Sequence, residues 1–514
     1  MDAVEEGVVG LITNHSWLDN PTFRGMRQSL MRSFEQIYVL DLHGNTKKKE
    51  RSPDGSDDQN VFDIEQGVAM SLLVKKRDAK CGVWRADWWG KRLAKYQAGA
   101  EQTIESVEWQ KLEPRAPDFM MLAQDYDEKA RYGAGWKVTD IFPKNSVGIV
   151  TARDNLCIHF DEAELMRTIR DFAALDPEAA RQKYQLGKDV DDWKVEWAQA
   201  DVKDHGPNER NATKILYRPG DDRWTYFTGR SRGFICRPRQ DVMRHMMREN
   251  VAIITTRLTK DDWSALVTDS LAAHKSGSRY DITYIFPLYL YPPEPGQRRT
   301  KSDLSGDNDS FAGESRIDSF ARAFRNWLDE KYEPHFSSEE IFGYIYAILH
   351  APTYRTRYAE FLRIDFPRIP FPDSAEDFEK LSLLGWALVQ AHLLREPPRR
   401  KLAVYHGKGG HTVETVRYSP EQQAVAINKS QFFKPVPQAV WDFHVGGYQV
   451  LDKYLKSRKG RKLTLDEINH VSAVADSLAF TIEQMARIDE AYRGAFPDRG
   501  SLYATLAQAE AMAY

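Results

Sequence analysis

Basic side chains are concentrated in two stretches of the sequence. Residues 223–257 contain eight arginines and only two acidic residues, and a second basic group lies at 456–462. Guanidinium groups form paired hydrogen bonds with phosphate oxygens and guanine edges, so both stretches predict contact with nucleic acid. The residues that we predict to touch DNA here are Arg223, Arg237 and Arg239 in the first stretch and Lys456, Arg458, Lys459 and Arg461 in the second.

The same residues also fit a plainer interpretation. The first stretch would then be a pair of strands with surface arginines, and the second an exposed charged turn. Alternation along a strand places Arg223 and Thr225 on one face but Trp224 and Tyr226 on the other, so these side chains cannot all face DNA. DNA contact is therefore predicted for each stretch as a whole rather than for every residue in it.

The segment from residue 7 to residue 76 has the pattern of strands around a helix. Val8 to Thr13 is an almost unbroken apolar run, which is typical of a parallel strand buried on both faces. A segment with apolar residues at helical spacing follows, and then two more apolar runs at 37–42 and 68–74. This order is that of one end of a doubly wound α/β sheet. Because a buried strand needs neighbours, we expect the chain to be the later part of a larger protein.

Several motifs carry a resemblance to known families. The motifs ITNHSWL at 12–18 and LDLHGN at 40–45, with Phe23 and Arg27 between them, resemble the closing segment of the catalytic domain of adenine-specific (N6) DNA methyltransferases. Later motifs resemble the C-terminal specificity region of type ISP restriction-modification enzymes. They are DIFP at 140–143, RPR at 237–239, YIFPLYLYP at 284–292, IFGYIY at 341–346 and VGGYQ at 445–449.

The resemblance implies that a target adenine is flipped out of duplex DNA and methylated, with S-adenosylmethionine as the cofactor. It places Phe23 where an aromatic ring stacks on the flipped base, with Arg24 and Arg27 available for phosphate. The residue types alone fit equally a core phenylalanine on a helix with solvated arginines. The Asn-Pro-Pro-Tyr loop of such enzymes is absent from this sequence. The Gly-Ala-Gly at 133–135 follows no apolar strand, so we interpret it as a plain loop rather than the cofactor turn.

Net charge, cysteine spacing and hydrophobicity exclude several classes of protein. The net charge of -3 over 514 residues argues against a uniformly basic DNA-coating protein. The three cysteines form no C-x-x-C pair and signal neither a zinc site nor a disulfide framework. The histidines show no metal-ligand spacing, and no nuclease constellation is found, so no metal site is predicted. No signal peptide or apolar run of about 20 residues is present, and we infer a cytoplasmic protein without membrane contact.

These patterns predict an α/β fold at 1–80, the end of a Rossmann-like methyltransferase sheet. A mixed α+β target-recognition domain at 81–440 and a helical C-terminal part at 441–514 would follow. Ser337 with Glu340, and Thr464 with Glu467, have the spacing of capping boxes and predict two helix starts.

The leading functional hypothesis is DNA target recognition, together with part of the catalytic domain, in a site-specific N6-adenine methyltransferase or type ISP restriction-modification enzyme. The partners would be duplex DNA and an upstream methyltransferase, nuclease or helicase portion of the same polypeptide. S-adenosylmethionine would bind the full-length enzyme, and the present chain alone is not expected to methylate. The alternative is a non-catalytic specificity subunit that complements a separately encoded methyltransferase half.

Overall fold

The structure, a computed structural model, describes residues 5–47, 50–123, 126–260, 262–292, 315–395 and 399–497, except the side chain of Pro21. The chain forms two compact units, Met1–Arg131 and Tyr132–Tyr514. The predicted boundary near residue 80 is not where the first unit ends, because strands on both sides of that position belong to one sheet.

The first unit is built on a five-stranded sheet in the order β1-β3-β2-β4-β5. Its elements are β1 (Gly7–Asn14), α1 (Arg24–Ser33), β2 (Gln36–Asp41), β3 (Val68–Lys75), β4 (Gly82–Asp87), α2 (Arg92–Glu101), β5 (Gln110–Leu112) and α3 (Tyr126–Ala134), which runs into the second unit. β3 is antiparallel to β1 and β2, while β2 and β4 are parallel, so β1, β2 and β4 point the same way. The predicted strand, helix, strand and strand are therefore all present.

The prediction that β1 is buried on both faces is wrong for the structure as described. Val8, Leu11 and Ile12 are 61%, 46% and 55% exposed. β1 stands at the end of the strand order, so its one neighbour in the described sheet is β3. The apolar residues that predict a buried strand are thus present at a sheet edge, where they are open to pairing with further polypeptide.

The second unit begins with short helices and two sheets. Its elements up to residue 292 are β6 (Trp136–Lys137), α4 (Val138–Ile141), β7 (Ser146–Val147), α5 (Asp154–Cys157), α6 (Glu162–Ala174), α7 (Pro177–Lys183), α8 (Val195–His205), β8 (Ala212–Arg218), β9 (Asp221–Tyr226), α9 (Gln240–Met243), β10 (Ala252–Thr256), β11 (Ala265–Thr268), β12 (Leu271–Ala272), β13 (Thr283–Pro287) and β14 (Tyr289–Leu290). One sheet has the antiparallel order β11-β10-β13-β7, and the other has the order β12-β8-β9.

The remainder of the second unit is mainly helical, with a small antiparallel sheet. Its elements are β15 (Ile317–Asp318), α10 (Arg322–Lys331), α11 (Ser338–His350), α12 (Pro352–Arg357), α13 (Ala359–Ile364), β16 (Arg368–Ile369), α14 (Ala375–His392), β17 (Val404–His406), β18 (Arg417–Ser419), β19 (Ala424–Ala426), β20 (Phe432–Lys434), α15 (Gln438–Trp441), β21 (His444–Val445), β22 (Tyr448–Gln449), α16 (Val450–Lys456) and α17 (Leu465–Ala495). Both predicted capping boxes are confirmed, at the starts of α11 and α17.

The four-stranded sheet of the second unit is covered on both faces. Alternation along β10 directs Ile253 into a core shared with α11 and α14, and Ile254 into a core shared with β8 and β9. The paired residues of β13 follow the same rule, since Phe286 joins the first core and Ile285 the second. α17 packs against α11 and α14. The described part of the predicted helical region at 441–514 therefore shares a core with the region before it, and residues 498–514 lie outside the described residues.

Candidate nucleic-acid interface

The ring of Phe160, between α5 and α6, is the point where the two basic stretches of the sequence meet. The guanidinium carbons of Arg223, Arg458 and Arg461 lie 4.3, 5.0 and 3.5 Å from its centroid. Arg223 comes from β9, whereas Arg458 and Arg461 follow α16. Guanidinium groups stack favourably on aromatic faces. One ring therefore contacts arginines that lie more than two hundred residues apart in the sequence.

Further arginines stack on tyrosines beside Phe160. The guanidinium carbons of Arg218 and Arg223 lie 4.0 and 4.3 Å from the ring centroid of Tyr217. Those of Arg218 and Arg279 lie 5.6 and 5.7 Å from the ring centroid of Tyr448. We call this set the arginine–aromatic cluster. Its members are Phe160, Tyr217, Arg218, Arg223, Arg279, Tyr448, Lys453, Tyr454, Arg458 and Arg461.

Asp221 holds the buried part of the cluster. Its carboxylate accepts hydrogen bonds from Arg223 at 2.8 Å and from Arg458 at 3.0 Å, and Glu467 accepts a second one from Arg458 at 2.8 Å. Arg458 is 3% exposed and Arg223 is 9% exposed. Burial alone would lower the pKa of Arg458, but the Asp221 carboxylate and its other neighbours raise it.

Two of the arginines predicted to contact DNA thus bind carboxylates of the protein itself. Arg458 is buried with two carboxylate partners, and Arg223 is buried on Asp221. A guanidinium in that position cannot reach phosphate without breaking a buried ion pair. We therefore assign both residues the structural role of joining β9 to the loop after α16.

The outer part of the cluster has an excess of positive charge. Lys453 is exposed and Arg461 is half-buried over Phe160, while the exposed Lys459 follows Arg458 in the same loop without being a member of the cluster. Partial burial lowers the pKa of Lys453, and so do three guanidinium groups, those of Arg218, Arg223 and Arg279. Lys456 is exposed but forms an ion pair with Asp452 one helical turn before it. This outer surface is suited to an anion, because a phosphate would relieve the repulsion among its cations.

The other predicted contacts from the first basic stretch lie outside the cluster. Arg237 is exposed and forms an ion pair with Asp192 at 2.5 Å. Arg239 is half-buried, and its Nε atom has no acceptor among the described residues. Burial lowers the pKa of Arg239, as does the charge of Arg237. Contact of these two residues with DNA stays a prediction.

Two aromatic residues within the first basic stretch are core residues. Tyr226 and Phe227 are 0% and 4% exposed and belong to the core beneath β8 and β9. The rings of the cluster that contact arginines, at 160, 217, 448 and 454, are not part of the sequence prediction. Tyr217 and Arg218 are adjacent in the sequence, which is a weak local signal, but the other members come from distant segments.

In the first unit, Arg27 is buried rather than available for phosphate. It is 0% exposed, and its guanidinium donates to the carbonyl oxygens of Trp17, Asn20 and Asp118. It thereby joins the start of α1 to the loop after β5. We assign it a structural role, whereas Arg24 is exposed and remains a predicted phosphate contact.

Phe23 lies in an apolar groove of the first unit. The groove runs between β1 and α1 and is also lined by Leu11, Trp17, Met26 and Leu30. Phe23 is half-buried and packs on the core of this unit. Its ring is accessible from the groove, so base stacking stays a prediction for it.

The sequence and fold were also compared with known proteins. Residues 140–487 match the model of the Type ISP C-terminal specificity domain, which is more than half of the chain. The chain therefore belongs to this family. No curated protein sequence matches it significantly. Within the described parts of the chain, no helix combines the length and apolar character needed to cross a bilayer.

Three solved structures share the fold. The cryo-electron microscopy structure of the DrdV–DNA complex is 21% identical, with a TM-score of 0.61 over 95% of this chain and 50% of its own. The ATP-dependent Type ISP restriction-modification enzyme LlaBIII, bound to DNA, is 18% identical, with a TM-score of 0.63 over 95% and 33%. A nuclease-deletion mutant of the Type ISP enzyme LlaGI, with a DNA substrate mimic, is 17% identical, with a TM-score of 0.59 over 95% and 46%. The chain thus spans half or less of each of these chains.

We predict that Arg458→Met destabilises the protein by about 3 kcal/mol, because Asp221 and Glu467 lose a buried cationic partner. Chemical denaturation of the 514-residue chain measures this change. Lys459→Met, one residue further along and exposed, is the matched control and should stay within about 0.5 kcal/mol of the parent. Equal stability of the two variants would contradict the structural role of Arg458.

For the first unit, we predict that Arg27→Met costs about 3 kcal/mol or more, because buried carbonyl oxygens are left without donors. The free energy of unfolding, followed by a probe of the first unit such as hydrogen exchange of its backbone amides read by mass spectrometry, reports this loss. Arg24→Met, on the exposed side of the same helix, should change stability by less than about 0.5 kcal/mol. If both variants unfold at the same denaturant concentration, the assignment of Arg27 fails.

Proposed function

We propose that this chain is the DNA specificity part of a type ISP-like restriction-modification enzyme, and that its second unit reads a short site in duplex DNA. The observation that carries the proposal is the outer surface of the arginine–aromatic cluster. There the exposed Lys453 lies near the guanidinium groups of Arg218, Arg223 and Arg279. Partial burial and these groups lower its pKa, and Arg461 and Lys459 come from the loop that follows. Such a surface suits the phosphate backbone, which supplies much of the affinity of DNA-binding proteins.

The solved structures with this fold support the choice of duplex DNA. Each of the three was determined with DNA or a DNA mimic, as stated for DrdV, LlaBIII and LlaGI. The family of the second unit is defined by specificity, which in a restriction-modification enzyme is the choice of a DNA site. The recognised sequence depends on the few side chains that reach base edges, since phosphate contacts carry no sequence information directly.

The first unit would complete a methyltransferase domain in the full enzyme. Its parallel strands β1 and β2 flank the antiparallel β3, and β1 has an exposed apolar edge. Further parallel strands could continue the sheet at this edge and carry the glycine-rich turn and the Asn-Pro-Pro-Tyr loop. S-adenosylmethionine would bind there, and Phe23 would stack on the flipped adenine. In this arrangement the present chain supplies DNA recognition and one side of the base pocket.

A second candidate function rests on the same sheet edge. The apolar surface of Val8, Leu11 and Ile12, together with the groove beside Phe23, could dock a separately encoded methyltransferase half. The chain would then be a non-catalytic specificity subunit. The two functions share DNA recognition and differ in whether the catalytic half lies on the same polypeptide.

We expect the chain to bind duplex DNA with an affinity that falls steeply as salt rises. The double variant Lys453→Gln/Lys459→Gln should reduce the slope of log K against log salt by about 2, because each lost phosphate contact lowers it by about 1. Fluorescence anisotropy with a labelled random-sequence duplex measures both quantities.

The matched control for the DNA measurement is Lys380→Gln/Lys408→Gln, which removes two exposed lysines outside the arginine–aromatic cluster. It should leave the salt slope unchanged. An equal effect of the two double variants would place the DNA elsewhere, and no binding at low salt would overturn the proposal.

The 514-residue chain alone should transfer no methyl group from S-adenosylmethionine to DNA, because the sequence has neither the cofactor turn nor the amide loop. Incubation with tritium-labelled cofactor and duplex DNA tests this expectation. Addition of a separately produced methyltransferase half from a type ISP enzyme is the informative second arm. Methylation that appears only in the mixture supports completion of the sheet, whereas methylation by the chain alone contradicts it.

A further inference from the structure

A polar cluster in the first unit lies where three parallel strands end. His15 directly follows β1, Asp41 is the last residue of β2, and Asp87 is the last residue of β4. His43 and Glu50 come from the loop after β2. Because β1, β2 and β4 point the same way, their carboxyl ends bring these side chains to one edge of the sheet, which is a common place for ligand sites in α/β folds.

Ligand atoms of two histidines and one carboxylate come close together in this cluster. His15 Nδ1 is 3.1 Å from Asp41 Oδ1, and His43 Nδ1 is 3.8 Å from the same oxygen. His43 Nδ1 is also 3.0 Å from Glu50 Oε1. Ligand atoms of His15, His43 and Glu50 all lie within 4.8 Å of one another. Tetrahedral zinc with bonds of about 2.0–2.2 Å requires neighbouring ligand atoms about 3.3–3.6 Å apart, so these three ligand atoms would draw together as the ion binds.

Carboxylates hold one ring nitrogen of each histidine. His43 Nε2 is 2.8 Å from Asp87 Oδ1, and His15 Nδ1 is 3.1 Å from Asp41 Oδ1. Arg85 donates to Asp41 Oδ2 at 2.8 Å, which leaves Oδ1 directed at the histidines. The amide nitrogen of Asn45 lies 3.2 Å from His15 Nε2, so this nitrogen is the acceptor of the ring. Metal-binding histidines commonly donate from one ring nitrogen to a carboxylate, which orients the other towards the ion.

Packing around the two rings restricts their motion. The indole of Trp89 stacks on the His43 ring at 3.3 Å between centroids. Gly67 lies against His15, and any side chain at that position would overlap the imidazole. His15, His43 and Asp41 are 7%, 5% and 3% exposed, while the Glu50 side chain is 18% exposed. The rings are thus preorganised, and the side of Glu50 offers a path for an ion.

The charges of the cluster also favour a divalent cation. Asp41, Glu50 and Asp87 are three carboxylates, and Arg85 contributes one positive charge to them. Two further positive charges are needed for neutrality in this largely buried place. They can come from a proton on each imidazole or from one divalent ion that replaces both protons.

We propose that His15, His43 and Glu50 hold a Zn²⁺ ion at the carboxyl edge of this sheet, with Asp41 and Asp87 as the carboxylate partners of the two histidines. Two imidazole nitrogens and one carboxylate oxygen are a ligand set that zinc accepts, and calcium or magnesium would prefer oxygen alone. The ion would tie the end of β1 to the loop after β2.

The test uses the full 514-residue chain, prepared with a chelator and dialysed. Addition of ZnCl₂ should give one bound ion per chain by calorimetry and raise the unfolding temperature. Co²⁺ should produce the intense visible absorption of tetrahedral coordination. Glu50→Gln removes a ligand, while its side-chain oxygen can still accept from His43. Asp87→Asn removes an outer partner and should weaken Zn²⁺ binding by about 10–100-fold, and Glu50→Gln should weaken it more.

Glu65→Gln is the matched control, because Glu65 is exposed and forms an ion pair with Lys47 on the surface of the same loop. It should bind Zn²⁺ as the parent does, and circular dichroism should show all variants folded. Absence of a Co²⁺ spectrum and of a Zn²⁺-dependent shift in the parent would mean that the cluster is a hydrogen-bonded ion-pair network only. Binding that is equal in the parent, Glu50→Gln and Asp87→Asn would place the ion elsewhere. Either result overturns the proposal.

Discussion

The candidate DNA surface depends on the ion pairs that the buried carboxylate of Asp221 forms with two arginines. This carboxylate accepts hydrogen bonds from Arg223 two residues away and from Arg458 at the other end of the second unit. A carboxylate that is 1% exposed needs such partners, because an isolated charge at that depth would be strongly unfavourable. The two arginines in turn stack on Phe160, where the half-buried Arg461 contacts the same ring.

The arrangement separates two uses of arginine within one cluster. Arg223 and Arg458 neutralise buried acids and position the strand and the loop. Around Lys453, by contrast, the positively charged side chains outnumber the carboxylates that act on it. Buried ion pairs contribute little net stability when compared with apolar packing, but they fix geometry, because loss of one partner leaves the other uncompensated. The cluster thus combines a rigid inner layer with a charged outer layer, which suits the binding of an extended anion.

The first unit shows a comparable division between the edge and the end of its sheet. The edge at β1 is apolar and exposed, with Val8 and Ile12 unpacked. The carboxyl ends of its parallel strands carry the polar cluster of His15, Asp41 and His43. An apolar edge is suited to further polypeptide and a polar end to a ligand or ion, so the two surfaces support different kinds of partner.

The sequence by itself determined the elements and the family. The apolar runs and helical spacing at 8–42 predicted two strands and a helix that the structure contains, and Ser337 and Thr464 marked two helix starts correctly. The motifs between 140 and 449 indicated the specificity region that the family match confirms. These features are local, since strand pattern, capping and short motifs depend on residues close together in the chain.

Only the tertiary structure decided which side chains are buried and which of them meet. Nothing in the sequence distinguishes Arg27 and Arg458 from exposed arginines. They are buried because carbonyl and carboxylate acceptors from distant segments of the chain bind them in the interior. The position of β1 at a sheet edge, and the meeting of Phe160 with residues 223 and 461, follow from strand order and packing. Burial and pairing depend on which distant segments the fold brings together, and a linear pattern of residue types does not contain that information.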